Sequence, residues 1–95
     1  MKPITFVLGT ARADAQSAAV LAALTAAGDA AGMQYETVAV AEVVTTPATR
    51  RLAEYPDDAG LVRWQQLVRN SAALVCVVPE YNHSVPGEWK LLLDS

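Results

Sequence analysis

Ala73-Leu74-Val75-Cys76-Val77-Val78-Pro79-Glu80-Tyr81-Asn82 is the stretch whose reading decides the fold. Residues 73–78 form a run of six apolar residues, too short for a helix and stopped by a proline, so they are read as a strand. An unbroken apolar run, rather than an alternating one, predicts a strand covered on both faces, as in parallel sheets between helices. Working outward, residues 4–8 (Ile-Thr-Phe-Val-Leu) repeat the pattern and end at Gly9. Residues 16–31 are almost all Ala, Leu and Val, with Val20 and Leu24 one turn apart, which predicts a helix with Gly32 as its C′ residue. Gly28 inside it costs about 1 kcal/mol against Ala and marks a point where that helix would fray or end. Residues 35–40 alternate and read as the second strand. Residues 41–56 read as a connection, with a helical turn around 49–54. Asp57 and Asp58 are candidate caps for a helix over 59–70, whose apolar stripe is Leu61, Trp64, Leu67 and Val68. Residues 79–87 form a loop, and a last helix starts at Glu88. Strands alternating with helices imply an α/β fold with a parallel sheet.

Composition narrows the function classes. A chain of 95 residues makes one domain, not two. A domain of that size buries only roughly 60–65% of its unfolded surface, so its core is thin. With 53% hydrophobic and 18% charged residues it is not a disordered tail. Alanine supplies 18 residues, which favours helix but gives little core volume. A net charge of −3 argues against nucleic-acid binding, which needs a basic face. One cysteine permits no internal disulfide and fits a reducing compartment. The apolar runs fall short of the roughly 18 residues of a membrane span, and the opening run ends too early for a signal peptide. A cytoplasmic protein, bound to neither membrane nor nucleic acid, is expected.

Two loops carry polar groups suited to a ligand. Residues 9–17 join the first strand to the first helix, at the carboxyl end of a strand where open α/β sheets bind ligands. The helix start offers free N–H groups to an anion, Thr10 and Ser17 add hydroxyls, and Arg12 adds a guanidinium fork matched to phosphate. Neither the dinucleotide fingerprint nor the nucleotide P-loop pattern is present. An ordinary capped turn with a surface arginine is the competing reading. Residues 79–87 form the second loop, which holds an aromatic ring, an amide and a carboxylate between Pro79 and Pro86. That set suits a planar heterocycle with polar edges, or else a rigid connection without ligand. In the flavodoxin-like strand order 2-1-3-4-5, the first and third strands are neighbours at the point where the order reverses. Both loops would emerge there. A response-regulator site would need acidic residues at the strand ends, where this chain has Leu8-Gly9 and Val78-Pro79.

Gly9-Thr10-Ala11-Arg12 with Ser17 resembles the first loop of NAD(P)H-dependent FMN reductases, a family that includes chromate, quinone and azo-dye reductases. Pro79-Glu80-Tyr81-Asn82-His83-Ser84-Val85-Pro86-Gly87-Glu88-Trp89-Lys90-Leu91, then Asp94, resembles its longer second motif. Thr10 stands for a serine, Trp89 for a leucine and Leu91 for an asparagine. The resemblance implies FMN as cofactor and NAD(P)H as co-substrate. It places the FMN phosphate on Thr10, Arg12, Ser17 and Gln16, and the flavin against Pro79, Glu80, Tyr81 and Asn82. Hydride would pass from NAD(P)H via the flavin to a quinone, azo, chromate or flavin acceptor. No catalytic side chain and no metal is implied, since the cofactor carries the chemistry. The family also implies a homo-oligomer, a dimer or tetramer, in the full-length form.

The remaining residues have blander readings. His83 reads as a solvent-facing loop residue, Cys76 as a packed core thiol and Trp64 as the core anchor of its helix. Trp89 either shields the flavin or packs its helix on the sheet. Arg50 and Arg51 read as a solvated pair rather than a site for the NADP phosphate. Glu80 reads as a loop-shaping hydrogen-bond partner. A five-stranded sheet needs on the order of 150 residues, so residues 1–95 read as the N-terminal part of one flavodoxin-like domain. The third strand would then be left as an apolar open edge. The alternative to an active reductase is a non-catalytic or truncated flavin-binding half-domain that works only with a partner chain, or not at all.

Overall fold

The computed structural model describes residues 2–12, 15–80 and 84–95. The elements are β1 (Ile4–Leu8), α1 (Ala15–Ala30), β2 (Tyr35–Ala39), a 3₁₀ turn (Val40–Glu42), α2 (Ala59–Asn70), β3 (Ala73–Val77) and α3 (Gly87–Leu93). The three strands form one parallel sheet in the order β2-β1-β3. This is the flavodoxin-like α/β arrangement, with the order that opens 2-1-3-4-5. Phe6 pairs in register with Thr37 on one side and Val75 on the other, and Val7 with Val38 and Cys76.

Strand alternation sends side chains to two different layers. Val7 and Val38 point to the face covered by α2 and α3, and with Val40, Val43, Leu61, Trp64 and Leu92 they form the core. Replacing Trp64 in such a site by Ala costs about 3–5 kcal/mol. Phe6 points to the opposite face, where its ring lies 5.3 Å from that of Tyr35, under α1. Gly28 makes this possible: a Cβ there would stand 3.2 Å from the Tyr35 ring. The helix therefore runs through Gly28 instead of ending at it. It ends at Gly32, whose φ of 67° lets the Met33 N–H reach the Gly28 carbonyl and the Gly32 N–H the Asp29 carbonyl. That pair of bonds is the Schellman motif.

The β2–α2 connection is more ordered than its sequence implies. Glu42 closes the 3₁₀ turn by accepting the Ala39 N–H at 2.7 Å. Asp58 is the N-cap of α2 and accepts the Leu61 N–H at 3.0 Å. Arg50 is not solvated. It donates to Thr45, pairs with Asp58 and lies over the Tyr55 ring, tying the connection to the cap. The helical turn expected around 49–54 is a hydrogen-bonded turn in which the Glu54 and Tyr55 N–H groups both reach the Arg51 carbonyl.

Three burial expectations are corrected. Val68, read as part of the apolar stripe of α2, faces solvent rather than the core. β3 is not covered on both faces: Ala73 through Cys76 are all exposed, since β1 is its one partner strand among the described residues. Cys76 is accordingly an exposed thiol and not a core one. The partial desolvation that remains raises its pKa, so it stays protonated and weakly nucleophilic at neutral pH.

Candidate functional site

The site is built where β1 and β3 end side by side. The Gly9 N–H donates to the Val77 carbonyl at 2.8 Å, so the first loop leaves β1 tied to β3. Gly9 is required there by close approach. A Cβ would lie 2.8 Å from Val78 Cγ2 and 3.0 Å from the Trp89 ring. Trp89 thus packs α3 against the base of the first loop and onto the core.

Beyond Gly9 the loop is held by side chains. Thr10 is buried, and its Oγ1 accepts the Arg12 N–H at 3.1 Å, a local turn that shapes the loop from inside. The Ala11 N–H donates to Glu88 Oε2 at 2.9 Å. Arg12 and Gln16 are exposed, and Ser17 is buried in the first turn of α1. The first-loop residues therefore divide. Thr10 serves the loop's own geometry, Ser17 sits by the helix start, and Arg12 and Gln16 face outward.

In the second loop Pro79 is half-buried and Glu80 exposed. Tyr81 and Asn82, read as flavin-lining, and His83, read as solvent-facing, lie outside the described residues. Val78, Pro79, Glu80, Ser84 and Val85 line an open cleft of about 520 Å³. On the other side of the α3 start, Val44–Pro47 and Gly87, Glu88 and Leu91 line a second cleft of about 620 Å³. Leu91, which stands where the resemblance expects an asparagine, gives that cleft an apolar wall. Both volumes lie within the usual range of ligand pockets.

The residues fit an FMN-sized ligand in kind and placement. A guanidinium and a helix start lie at one loop, an open cleft at the other, and backbone and side-chain bonds connect the two. Among the described residues no cluster of His, Cys, Asp and Glu could hold a metal ion, and no helix is long and apolar enough to cross a membrane. The family model described as NADPH-dependent FMN reductase matches residues 2–95. The chain belongs to that family. No curated protein and no solved structure matches the chain. Membership agrees with the fold and with both motifs, and it names FMN and NADPH as the molecules the family is known for.

Glu88 was not among the expected site residues. An acidic residue in the first turn of a helix reads as a partner of that helix's own dipole. Sequence spacing gives no sign that its carboxylate reaches an N–H 77 positions away.

Proposed function

We propose that this chain is an FMN-dependent NAD(P)H oxidoreductase, whose second acceptor is a quinone, azo, chromate or flavin compound. The observation that carries the reading is the joining of the two motif loops at one sheet edge, through Gly9 to Val77 and Ala11 to Glu88. Arg12 and Ser17 hold the phosphate, with Gln16 beside them, and the buried Thr10 keeps the Arg12 backbone in position to do so. Pro79 and Glu80, continuing into Tyr81 and Asn82, line the ring. FMN, when bound, supplies the hydride chemistry between NAD(P)H and the acceptor. The protein's own task is to orient and desolvate. The core-anchored α3 fixes the floor of the site, and the apolar wall at Leu91 and Val44 excludes water beside it. We place the protein in the cytoplasm, as a homo-oligomer, with residues 1–95 belonging to a single FMN-binding domain.

The test is to add FMN to the purified chain and follow NAD(P)H oxidation at 340 nm, using a quinone as acceptor. Quinone-dependent turnover that needs FMN supports the reading, whereas a protein that ignores added FMN contradicts it. A second reading draws on the exposed β3: the chain holds FMN but does not turn over until another segment or chain covers that strand. Saturable FMN binding without NAD(P)H oxidation would favour it.

A further inference from the structure

The cleft of about 620 Å³ between the β2–α2 connection and the start of α3 is distinct from the one lined by the second loop. It shares the same framework. Val85 lines the cleft of the second loop, Gly87 lines this one, and the buried Pro86 stands between them. Glu88, on the α3 wall, takes the Ala11 N–H of the first loop. A molecule held here is a neighbour of whatever the two loops hold. Both walls are fixed. Leu92 and Trp89 anchor α3 in the core. Across the cleft, Val44 packs on that same core, and its N–H donates to the Val40 carbonyl at 2.8 Å. Arg50 donates to the Thr45 hydroxyl at 2.7 Å and is tied in turn to Asp58, the cap of α2. Walls ordered beforehand leave little ordering to be charged against a ligand.

The lining says what fits. Val44, Pro47 and Leu91 give apolar surface, and Thr45 and Thr46 give hydroxyls that can donate to a carbonyl. Among the described residues, the charged one in the lining is Glu88, an anion, and the Arg50 guanidinium that reaches Thr45 is paired with Asp58. Such a lining favours an uncharged ring with carbonyl edges and disfavours an anion. We infer that this cleft is the acceptor subsite, that it takes an uncharged quinone rather than chromate, and that Leu91 is its specificity-determining residue. This deepens the flavin reading and rests on it. The exchange balances with the quinone alone: NAD(P)H gives up a hydride, and the quinone takes it by way of the flavin, with one proton from water, to become the hydroquinone. Leu91 is half-buried and outside the core cluster, so its replacement leaves the core intact.

The experiment measures binding of duroquinone and of chromate to the flavin-free chain by equilibrium dialysis, for wild type, Leu91→Asn and Leu91→Met. Duroquinone is fully methylated and does not add to the exposed Cys76 thiol. FMN affinity is measured in parallel by fluorescence titration. Wild type binds duroquinone saturably, and chromate at least about tenfold more weakly. Leu91→Asn binds duroquinone at least about fivefold more weakly than wild type. Leu91→Met binds it as wild type does, and all three chains bind FMN equally. In FMN-dependent turnover the KM for duroquinone rises in Leu91→Asn while the KM for NAD(P)H stays. Equal duroquinone affinity in wild type and Leu91→Asn overturns the proposal, as does uptake that never saturates, or chromate binding as tight as the quinone's. FMN affinity that falls together with duroquinone affinity also overturns it, since the cleft would then belong to the flavin. Absence of FMN binding by wild type overturns the flavin reading, and the acceptor role with it, even where duroquinone binding depends on Leu91.

Discussion

At the scale of single residues, Asp58 shows how one carboxylate serves two tasks. It caps α2 through the Leu61 N–H and pairs with Arg50. The bond from Leu61 comes first and Arg50 second in holding its pKa below the ordinary aspartate value of 3.8. A lowered folded pKa means the stabilisation is complete above that ordinary value and is lost as pH falls through the lower, folded one. Asp58→Ala should lower Tm at pH 7. Asp58→Asn, which keeps an oxygen for the cap but not the charge, should lower it less. The gap between wild type and Asp58→Asn should close at strongly acid pH, where the Asp58 carboxyl is neutral as well, and a gap that persists there would contradict the assignment. Tyr35 is the opposite case, since its hydroxyl donates to Asp29 at 2.8 Å and its pKa is raised. The cap was legible from an aspartate standing just before an apolar-periodic segment. The Arg50 bridge was not, because two neighbouring arginines in a connection carry no periodicity to say which one turns inward.

At the scale of elements, glycines decide how closely the pieces meet. Gly60, in the first turn of α2, lies against the 3₁₀ turn: a Cβ there would stand 2.3 Å from the Glu42 carbonyl oxygen. Ala at that position gains helix propensity of about 1 kcal/mol but forces backbone apart, and overpacking of this kind costs about 1–3 kcal/mol or more. Gly60→Ala is expected to lower stability in urea unfolding. Gly28→Ala, whose Cβ meets the rings of Tyr35 at 3.2 Å and Phe6 at 3.8 Å rather than backbone of another element, should lie within about 1 kcal/mol of wild type. If both substitutions proved equally mild, the close contact between α2 and the 3₁₀ turn would be wrong. The strands and helices themselves were legible in the sequence to within a residue or so at most ends, because apolar runs and periodic stripes report backbone geometry directly. The 3₁₀ turn was not, since Val40 reads as the end of the strand and Ala41 and Glu42 as plain connection, whereas the Val43 and Val44 N–H groups turn back to the Val40 carbonyl and Glu42 accepts the Ala39 N–H. The passage of α1 through Gly28 was also missed. Propensity counts the glycine as a weakness, while its packing against the Tyr35 ring makes the small residue an asset.

At the scale of the whole molecule, the sheet is covered unevenly. β1 is buried between helices, while β3 keeps apolar residues exposed, Leu74 at 39% and Val75 at 37%. An exposed apolar strand edge pairs readily with other chains. Leu74→Lys should reduce concentration-dependent association in light scattering while shifting Tm by no more than about 2 °C. Unchanged association would show that β3 is not the adhesive surface. Strand order was legible, because parallel strands and right-handed crossovers leave few arrangements. The covering of β3 was not, since an unbroken apolar run tells what a strand is suited to and not what packs on it. The ends of β1 and β3 meet where the strand order puts them, Gly9 against Val77 and Val78, while the bond from Ala11 to Glu88 could be seen only in three dimensions. Under the proposed function, the joined loops hold FMN by its phosphate. The most direct measurement is a fluorescence titration of the chain with FMN and with riboflavin, on wild type and on Arg12→Ala. Saturable FMN binding at least about tenfold tighter than that of riboflavin is expected, with the preference largely lost in Arg12→Ala. Equal binding of the two flavins, or none, would contradict it.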